Sequence, residues 1–123
     1  VSGREARLLG RWGEALVAED MRRQGFRILA AGFQCRFGEI DLIAADDKYL
    51  IFTEVKLRTS EAFAPGRAAV DLRKQRKLRA TAEYYLAEHP APGLQPRFDV
   101  AEVLAPAGTA TRRPAITYLE NAF

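Results

Sequence analysis

Two β-rich segments around a polar turn decide the fold: Glu39-Ile-Asp-Leu-Ile-Ala-Ala45, then Asp46-Asp47, then Lys48-Tyr-Leu-Ile-Phe-Thr-Glu-Val-Lys56. Apolar, β-branched and aromatic residues on both sides of a short Asp-containing turn are typical of a β-hairpin. Side chains alternate between the faces of a strand, so Glu54 and Lys56 point to the same side of the second strand. On the first strand, Glu39 and Asp41 share a face for the same reason.

The pairing register of this hairpin determines whether its acidic side chains meet. A two-residue turn at Asp46-Asp47 pairs residues whose numbers sum to 93, which sets Asp41 opposite Phe52. Asp41 and Glu54 are then diagonal neighbours on one face, about 7 Å apart at Cβ. A turn with an odd number of residues would place them on opposite faces.

Carboxylates crowded among apolar neighbours on this face need a positive partner, because like charges at low solvent exposure are costly. Lys56 is one such partner, and a divalent cation is another. Oxygen ligands without His or Cys match Mg²⁺ or Mn²⁺ rather than Zn²⁺. Such an ion stabilises charge on a phosphodiester and activates a water, while the lysine positions that water or neutralises the transition state. The alternative is that Glu54-Val55-Lys56 is an ordinary charged surface triplet.

The segments around the hairpin complete an α/β pattern. Apolar residues at three- and four-residue steps predict an amphipathic helix over 4–24 that ends at Gly25. A short strand is predicted over 26–29, a second helix over 67–88, and two strands over 97–104 and 115–119. The order α-β-β-β-α-β-β predicts a mixed β-sheet flanked by helices. The length of 123 residues fits a single domain over 1–123.

The composition excludes several classes of chemistry. The single histidine, His89, stands beside Pro90 in a loop-like stretch, which argues against Ser-His-Asp and Cys-His triads. No GxxxxGK(S/T) or GxGxxG motif supports a phosphate cradle for ATP or dinucleotides. The lone Cys35 cannot form an internal disulfide or a zinc cluster, so a reducing, cytoplasmic setting is expected. No stretch approaches the ~20 apolar residues of a membrane span, so no membrane partner is expected.

Basic residues are concentrated in one part of the chain, since residues 67–79 hold six cations against one carboxylate. This predicts a phosphate-binding face on the second helix, carried by Arg73, Lys74 and Lys77, although a solvated helix is the alternative. Arg58 continues the face of Glu54 and Lys56, and it either holds a phosphate or is solvated.

Glu14 lies at the edge of the apolar stripe of the first helix. Gly10 and Gly13 permit close packing of that helix on the sheet, which would aim Glu14 toward the carboxylate face. The alternative is a salt bridge from Glu14 to Arg11 or Arg7.

Several motifs in this order resemble the YraN-like family of small bacterial proteins: Gly13-Glu14, Gly38-Glu39-Ile40-Asp41-Leu42-Ile43, Glu54-Val55-Lys56-x-Arg58, the Lys/Arg helix and Arg97-Phe98-Asp99. That family is similar to the restriction-endonuclease-like PD-(D/E)xK superfamily, close to Holliday-junction resolvases. The resemblance implies metal ligation by Asp41, Glu54 and the Val55 carbonyl, catalysis by Lys56, and completion of the site by Glu14. It is also compatible with a homodimer, because resolvase-like relatives act as symmetric dimers.

The first hypothesis is therefore a Mg²⁺- or Mn²⁺-dependent endonuclease that hydrolyses DNA, with branched or junction DNA among its substrates. One alternative is a nucleic-acid-binding module of the same fold without turnover, and another is a protein-interaction scaffold. The sequence is compatible with all three, because each of them permits the same charges.

Overall fold

The computed structural model describes residues 3–59 and 70–123. Within these residues the chain forms α1 (Gly3–Arg23), β1 (Arg27–Cys35), β2 (Gly38–Ala45), β3 (Tyr49–Arg58), α2 (Leu72–Glu88), β4 (Gln95–Leu104), a short 3-10 helix (Gly108–Ala110) and β5 (Ala115–Leu119).

The five strands form one sheet in the order β1-β2-β3-β4-β5. Neighbouring strands are antiparallel except for β3 and β4, which run parallel from the pair Tyr49–Gln95 to the pair Arg58–Leu104. A parallel pair needs a long crossover connection, and α2 lies in the connection between these two strands. The mixed sheet and the α-β-β-β-α-β-β order are thus confirmed.

Two apolar clusters hold the helices to the sheet. Val17, Ala18 and Met21 of α1 pack with Leu42 and Ala44 of β2 and with the β4 residues Ala101 and Val103. Leu78, Ala82 and Tyr85 of α2 pack in a second cluster with Ile43, Leu50, Phe52 and Val100. Adjacent residues of β2 and of β4 thus belong to different clusters, as expected when side chains alternate across a strand. The sheet therefore lies between the two helices.

The predicted bounds of the first helix are confirmed, while the bounds of other elements differ from those predicted. β1 continues past Leu29 to Cys35, because its backbone stays paired with β2 although its apolar pattern fades and its register shifts between Ile28 and Ala30. The second helix begins at Leu72, because the Asp71 carboxylate accepts the Lys74 N–H and caps its first turn. The predicted start of that helix at 67–69, and residues 60–66 of the adjoining loop, lie outside the described residues.

Neither of the two helices in the described residues is long and apolar enough to cross a lipid bilayer.

The predicted register of the β2–β3 hairpin is wrong by two residues. The observed pairs run from Leu42–Thr53 to Ala45–Leu50, so paired residue numbers sum to 95. The reason is Asp46, which does not lie in the turn: its N–H bonds the Tyr49 carbonyl, and its carboxylate accepts the Tyr49 N–H at 2.7 Å. The turn is Asp47-Lys48 instead. A shift of two residues leaves the paired residues 42–45 and 50–53 on their predicted faces.

Candidate active site

Asp41 lies where the regular pairing of β2 and β3 ends. The pairs stop at Leu42–Thr53, and the next backbone donor of β3 on that side, the Val55 N–H, bonds Asp41 Oδ2 at 2.8 Å. Ile40 packs in the same cluster as Ile43, although residues three apart face opposite sides of a regular strand. The alternation of β2 is therefore interrupted at Asp41, whose carboxylate is fixed against the backbone of β3.

Glu54 is a buried carboxylate next to Asp41, with its side chain only 8% exposed. Burial raises the pKa of Glu54 to about 7, and the hydrogen bond and charge of Asp41 act in the same direction. The charges of Lys74 and Lys56 lower this pKa, but they do not offset the other effects. The site thus holds two neighbouring carboxylates whose simultaneous ionisation is unfavourable.

One oxygen of Glu54 has no hydrogen-bond partner within residues 3–59 and 70–123. This atom, Oε2, is inaccessible to solvent. The ammonium of Lys74 lies 3.5 Å from it, close enough for charge attraction but without the geometry of a hydrogen bond. Buried polar atoms are almost always paired, so this oxygen is available to a further positive group.

Glu14 reaches the same site from the other side of the sheet because α1 packs closely on β3. A Cβ atom at Gly13 would lie 3.1 Å from Leu57 Cδ1, so only glycine permits this approach without movement of the neighbour. Burial, together with the charges of Asp41 and Glu39, raises the pKa of Glu14 to about 7. A hydrogen bond with Asp41 contributes as well. The predicted approach of α1 is confirmed at Gly13.

The basic residue predicted beside these carboxylates is in place, and Arg58 has a partner of its own. Lys56 is half-buried on β3, and its charge acts on Glu54. Arg58 Nε donates to Glu102 Oε2 at 3.1 Å, and its side chain is 15% exposed. The solvated alternative for Arg58 is therefore wrong, and any phosphate would meet it as a member of an ion pair.

The three basic residues predicted for a nucleic-acid face of α2 divide into two groups. Lys74 is half-buried and its ammonium turns to Glu54, so it belongs to the carboxylate site. Arg73 and Lys77 are exposed to solvent on the same helix. The sequence pattern missed the Lys74–Glu54 contact, which depends on how α2 packs over β3.

A cleft of about 700 Å³ adjoins Glu14 between α1 and β1. Its lining includes Arg11 and Arg22 of α1, together with Gln34 and Glu39 of the β1–β2 hairpin. The charge of Arg11 lowers the pKa of Glu14. No ion pair joins Glu14 to an arginine in the part of the chain that the structure describes. The cleft thus leads to Glu14 along a wall of mixed charge, since Glu19 and Glu39 line it together with the two arginines.

The donor set fits a hard divalent cation. Mg²⁺ is usually held by one or two carboxylates together with waters and substrate phosphates. Asp41 and Glu54 supply such a pair, and Glu54 Oε2 is a buried acceptor that receives no hydrogen bond from residues 3–59 or 70–123. In residues 3–59 and 70–123, no three or more His, Cys, Asp or Glu side chains are already grouped as a complete ligand set. The two carboxylates would therefore be the primary side-chain ligands.

Comparisons with known proteins agree on one family. Residues 13–103 match the model described as "Uncharacterised protein family UPF0102". The chain is 44% identical over 95 residues to a UPF0102 protein of Syntrophotalea carbinolica, covering 77% of each chain. It is 41% identical over 115 residues to a UPF0102 protein of Nocardia farcinica, covering 94% of this chain and 88% of the relative. With a UPF0102 protein of Pelotomaculum thermopropionicum it shares 38% identity over 117 residues, covering 95% and 96% of the two chains. The matched residues include the acidic positions 14, 41 and 54 and the lysine at 56, and the chain therefore belongs to the UPF0102 family, the YraN-like family that its motifs resemble.

Proposed function

We propose that this protein is a Mg²⁺- or Mn²⁺-dependent endonuclease that hydrolyses DNA phosphodiester bonds, with branched or junction DNA as a candidate substrate. The observation that carries the proposal is the buried carboxylate of Glu54 beside the half-buried Asp41. Within residues 3–59 and 70–123, Glu54 Oε2 lacks a hydrogen bond although two lysines lie nearby. A purely structural ion pair would be expected to satisfy that oxygen.

The ion would be held by the carboxylates of Asp41 and Glu54, with the Val55 carbonyl as a further ligand and Glu14 completing the acidic group. The Val55 N–H supports this arrangement by fixing Asp41 through a bond of 2.8 Å. When bound, Mg²⁺ or Mn²⁺ would stabilise charge on the phosphate and lower the pKa of a water molecule.

The side chains of this chain would carry out the remaining tasks. Lys56, on the same side of β3 as Glu54, would orient the attacking water and neutralise the negative charge of the transition state. Lys74 would contribute a second positive charge close to Glu54. In the overall reaction, a water oxygen bonds to phosphorus, the bond from phosphorus to the leaving sugar oxygen breaks, and a proton from the water ends on that oxygen.

The exposed basic residues supply the substrate-binding part of the proposal. Arg73 and Lys77 on α2 would contact phosphates next to the carboxylates, and Arg58 would add a further cation at the end of β3. The proposal also places the protein in the cytoplasm, in keeping with its single free cysteine, Cys35. A homodimer would let two such sites act on two strands of one substrate.

Cleavage assays with purified protein test the proposal. Linear duplex, single-stranded and four-way-junction DNA are incubated with Mg²⁺, Mn²⁺ or EDTA. We expect metal-dependent products from the wild type and their loss in Glu54→Gln and Lys56→Ala. The matched controls Glu88→Gln and Lys48→Ala remove an exposed carboxylate and an exposed ammonium away from the site, and they should cleave normally.

Two results would contradict the proposed endonuclease activity. One is cleavage that persists in both site variants after repurification. The other is DNA binding that falls steeply with salt and with the neutralisation of Lys77, but without any metal-dependent product. That second result would favour the non-catalytic nucleic-acid-binding module, which the exposed cations of α2 also support.

A further inference from the structure

An exposed aromatic ring lies at the β1–β2 turn, outside the carboxylate site. Cys35 pairs with Gly38, which leaves Arg36 and Phe37 as the two residues of the turn. Four large apolar side chains are exposed in residues 3–59 and 70–123, and Phe37, at 40%, is the aromatic one among them. Its ring is therefore partly accessible to a binding partner.

The turn is held firmly against α2. Gly38 has φ +152°, and a Cβ atom there would lie 3.1 Å from Thr81 Oγ1 and 3.8 Å from Lys77 Cβ. The ring of Phe37 in turn rests beside Tyr84, with 6.2 Å between their centroids and a tilt of 60°. Phe37 is thus supported from below by α2 while part of its ring stays accessible.

The surroundings of Phe37 are cationic. The guanidinium of Arg36 lies over the ring, with its Cζ 4.8 Å from the centroid. Lys77, one of the exposed cations of α2, lies beside the same turn, since a Cβ atom at Gly38 would be 3.8 Å from Lys77 Cβ. An aromatic ring bordered by an arginine and a lysine matches a nucleobase with its phosphates, because the base stacks while the phosphates meet the cations.

The distance to the carboxylate site suits a single substrate. Lys74, which contacts Glu54, and Tyr84, which supports Phe37, are ten residues apart on α2, or about 15 Å along the helix. At a rise of 3.4 Å per base pair, this length spans roughly four to five base pairs. Lys77 lies between the two points on the same helix. One nucleic-acid strand can therefore contact both.

We infer that Phe37 is a stacking site for an unpaired base, and that the protein recognises DNA with unpaired nucleotides next to a phosphate backbone held by Arg36 and Lys77. The inference rests on the proposed function, since it assumes that DNA is the substrate. It selects single-stranded, gapped or frayed DNA over a fully paired duplex, because bases within a duplex are stacked on each other and do not offer a free face.

Binding measurements with two matched DNA molecules test this inference. One is a fully paired duplex, and the other is the same duplex with a short gap that contains 2-aminopurine as the unpaired base. Affinities are measured by fluorescence anisotropy in EDTA, so that cleavage does not interfere, and stacking is followed by quenching of 2-aminopurine. We expect Phe37→Leu to weaken binding to the gapped DNA by between about fivefold and 150-fold and to reduce the quenching.

The control variants separate stacking from other effects. Phe37→Trp should keep or strengthen binding to the gapped DNA, since tryptophan also stacks. Leu29→Ala removes an apolar side chain of similar exposure, 45%, at the other end of β1 and should change nothing. Binding of the fully paired duplex should be the same in all of these variants.

Several outcomes would overturn the inference. They are equal binding of the gapped DNA by wild type and Phe37→Leu, equal loss on both DNA molecules, or a change of oligomeric state in Phe37→Leu without an effect on DNA. If the wild type binds gapped DNA in a Phe37-dependent way but never cleaves it, the stacking site is supported and the proposed endonuclease activity is contradicted. If the wild type binds no DNA, both fail.

Discussion

Replacement of Glu54 by glutamine should make the metal-free protein more stable at alkaline pH. The carboxylate is buried with a side-chain exposure of 8% and lies next to Asp41. In the described part of the chain, its Oε2 atom has no hydrogen bond. In the folded protein its ionised form is therefore less favourable than in the unfolded chain. Glutamine has nearly the same shape and removes the charge.

The size of the effect follows from the pKa of Glu54, which burial raises from 4.5 to about 7. Between these two values the folded protein keeps a proton that the unfolded chain has lost, so the free energy of unfolding falls as the pH rises. Each tenfold change in proton affinity corresponds to about 1.4 kcal/mol. The loss of unfolding free energy therefore reaches its full extent, about 3 kcal/mol, above pH 7. The buried amide of glutamine keeps some desolvation penalty, which lowers the expected gain to about 1–3 kcal/mol.

Urea denaturation of both proteins in EDTA, at pH 5 and pH 8, measures this gain. We expect Glu54→Gln to exceed the wild type by about 1–3 kcal/mol at pH 8 and by less than about 1 kcal/mol at pH 5. Glu88→Gln, which changes an exposed carboxylate, should show no difference at either pH. Equal or lower stability of Glu54→Gln at pH 8 would contradict the raised pKa of Glu54, since it would mean that the charge of Glu54 is well compensated without a metal.

Two further predictions concern the contacts of α1. Gly13→Val should lower the free energy of unfolding by about 1–3 kcal/mol, because a Cβ atom at this position lies 3.1 Å from Leu57 Cδ1. Gly10→Ala should raise the free energy of unfolding by about 0.5–1 kcal/mol, because the space around Gly10 is open. Tyr118→Phe should cost about 1–2 kcal/mol, because it removes the 2.6 Å bond from the Tyr118 hydroxyl to Asp20 Oδ2. This bond holds the pKa of Asp20 below 3.8, so the cost should shrink as the pH falls through the titration of Asp20.

Urea denaturation at pH 7 and pH 3.5 measures all three variants. Equal stability of the Gly13→Val protein and the wild type would show that α1 does not approach β3 as described. A cost of Tyr118→Phe that stays the same at both pH values would show that Asp20 does not accept this bond as a carboxylate.

The proximity of Asp41 and Glu54 could be predicted from the sequence because a turn with an even number of residues brings them to neighbouring positions on the two strands. The interruption of the β2 alternation at Asp41 could not be predicted. The register itself could not be predicted, since Asp46 can serve either as a turn residue or as a side-chain acceptor for the turn. In the structure the Asp46 carboxylate accepts the Tyr49 N–H, so Asp46 is the side-chain acceptor and the pairing moves by two residues. The error changed which residues are opposite each other but left the faces of the paired residues 42–45 and 50–53 intact.

Long-range packing accounts for what the sequence could not supply. The contact of Lys74 with Glu54 depends on the placement of α2 over β3, and a charge pattern along one helix carries no information about it. The sequence around Asp99 fits either a supporting role at the site or a surface position. The structure buries it in a two-bond pair with Arg97, with both bonds at 2.9 Å, so it serves the structure of β4.

Calorimetric titration of Mg²⁺ and Mn²⁺ into the wild type and Asp41→Ala measures whether the Asp41–Glu54 pair holds a metal. Asp47→Ala, which removes an exposed carboxylate from the β2–β3 turn, is the matched control. Metal ligation by Asp41 predicts saturable binding of at least one of the two metals by the wild type and the control, and the loss of this binding in Asp41→Ala. Metal binding that is unchanged in Asp41→Ala, or absent from the wild type even with DNA present, would contradict it.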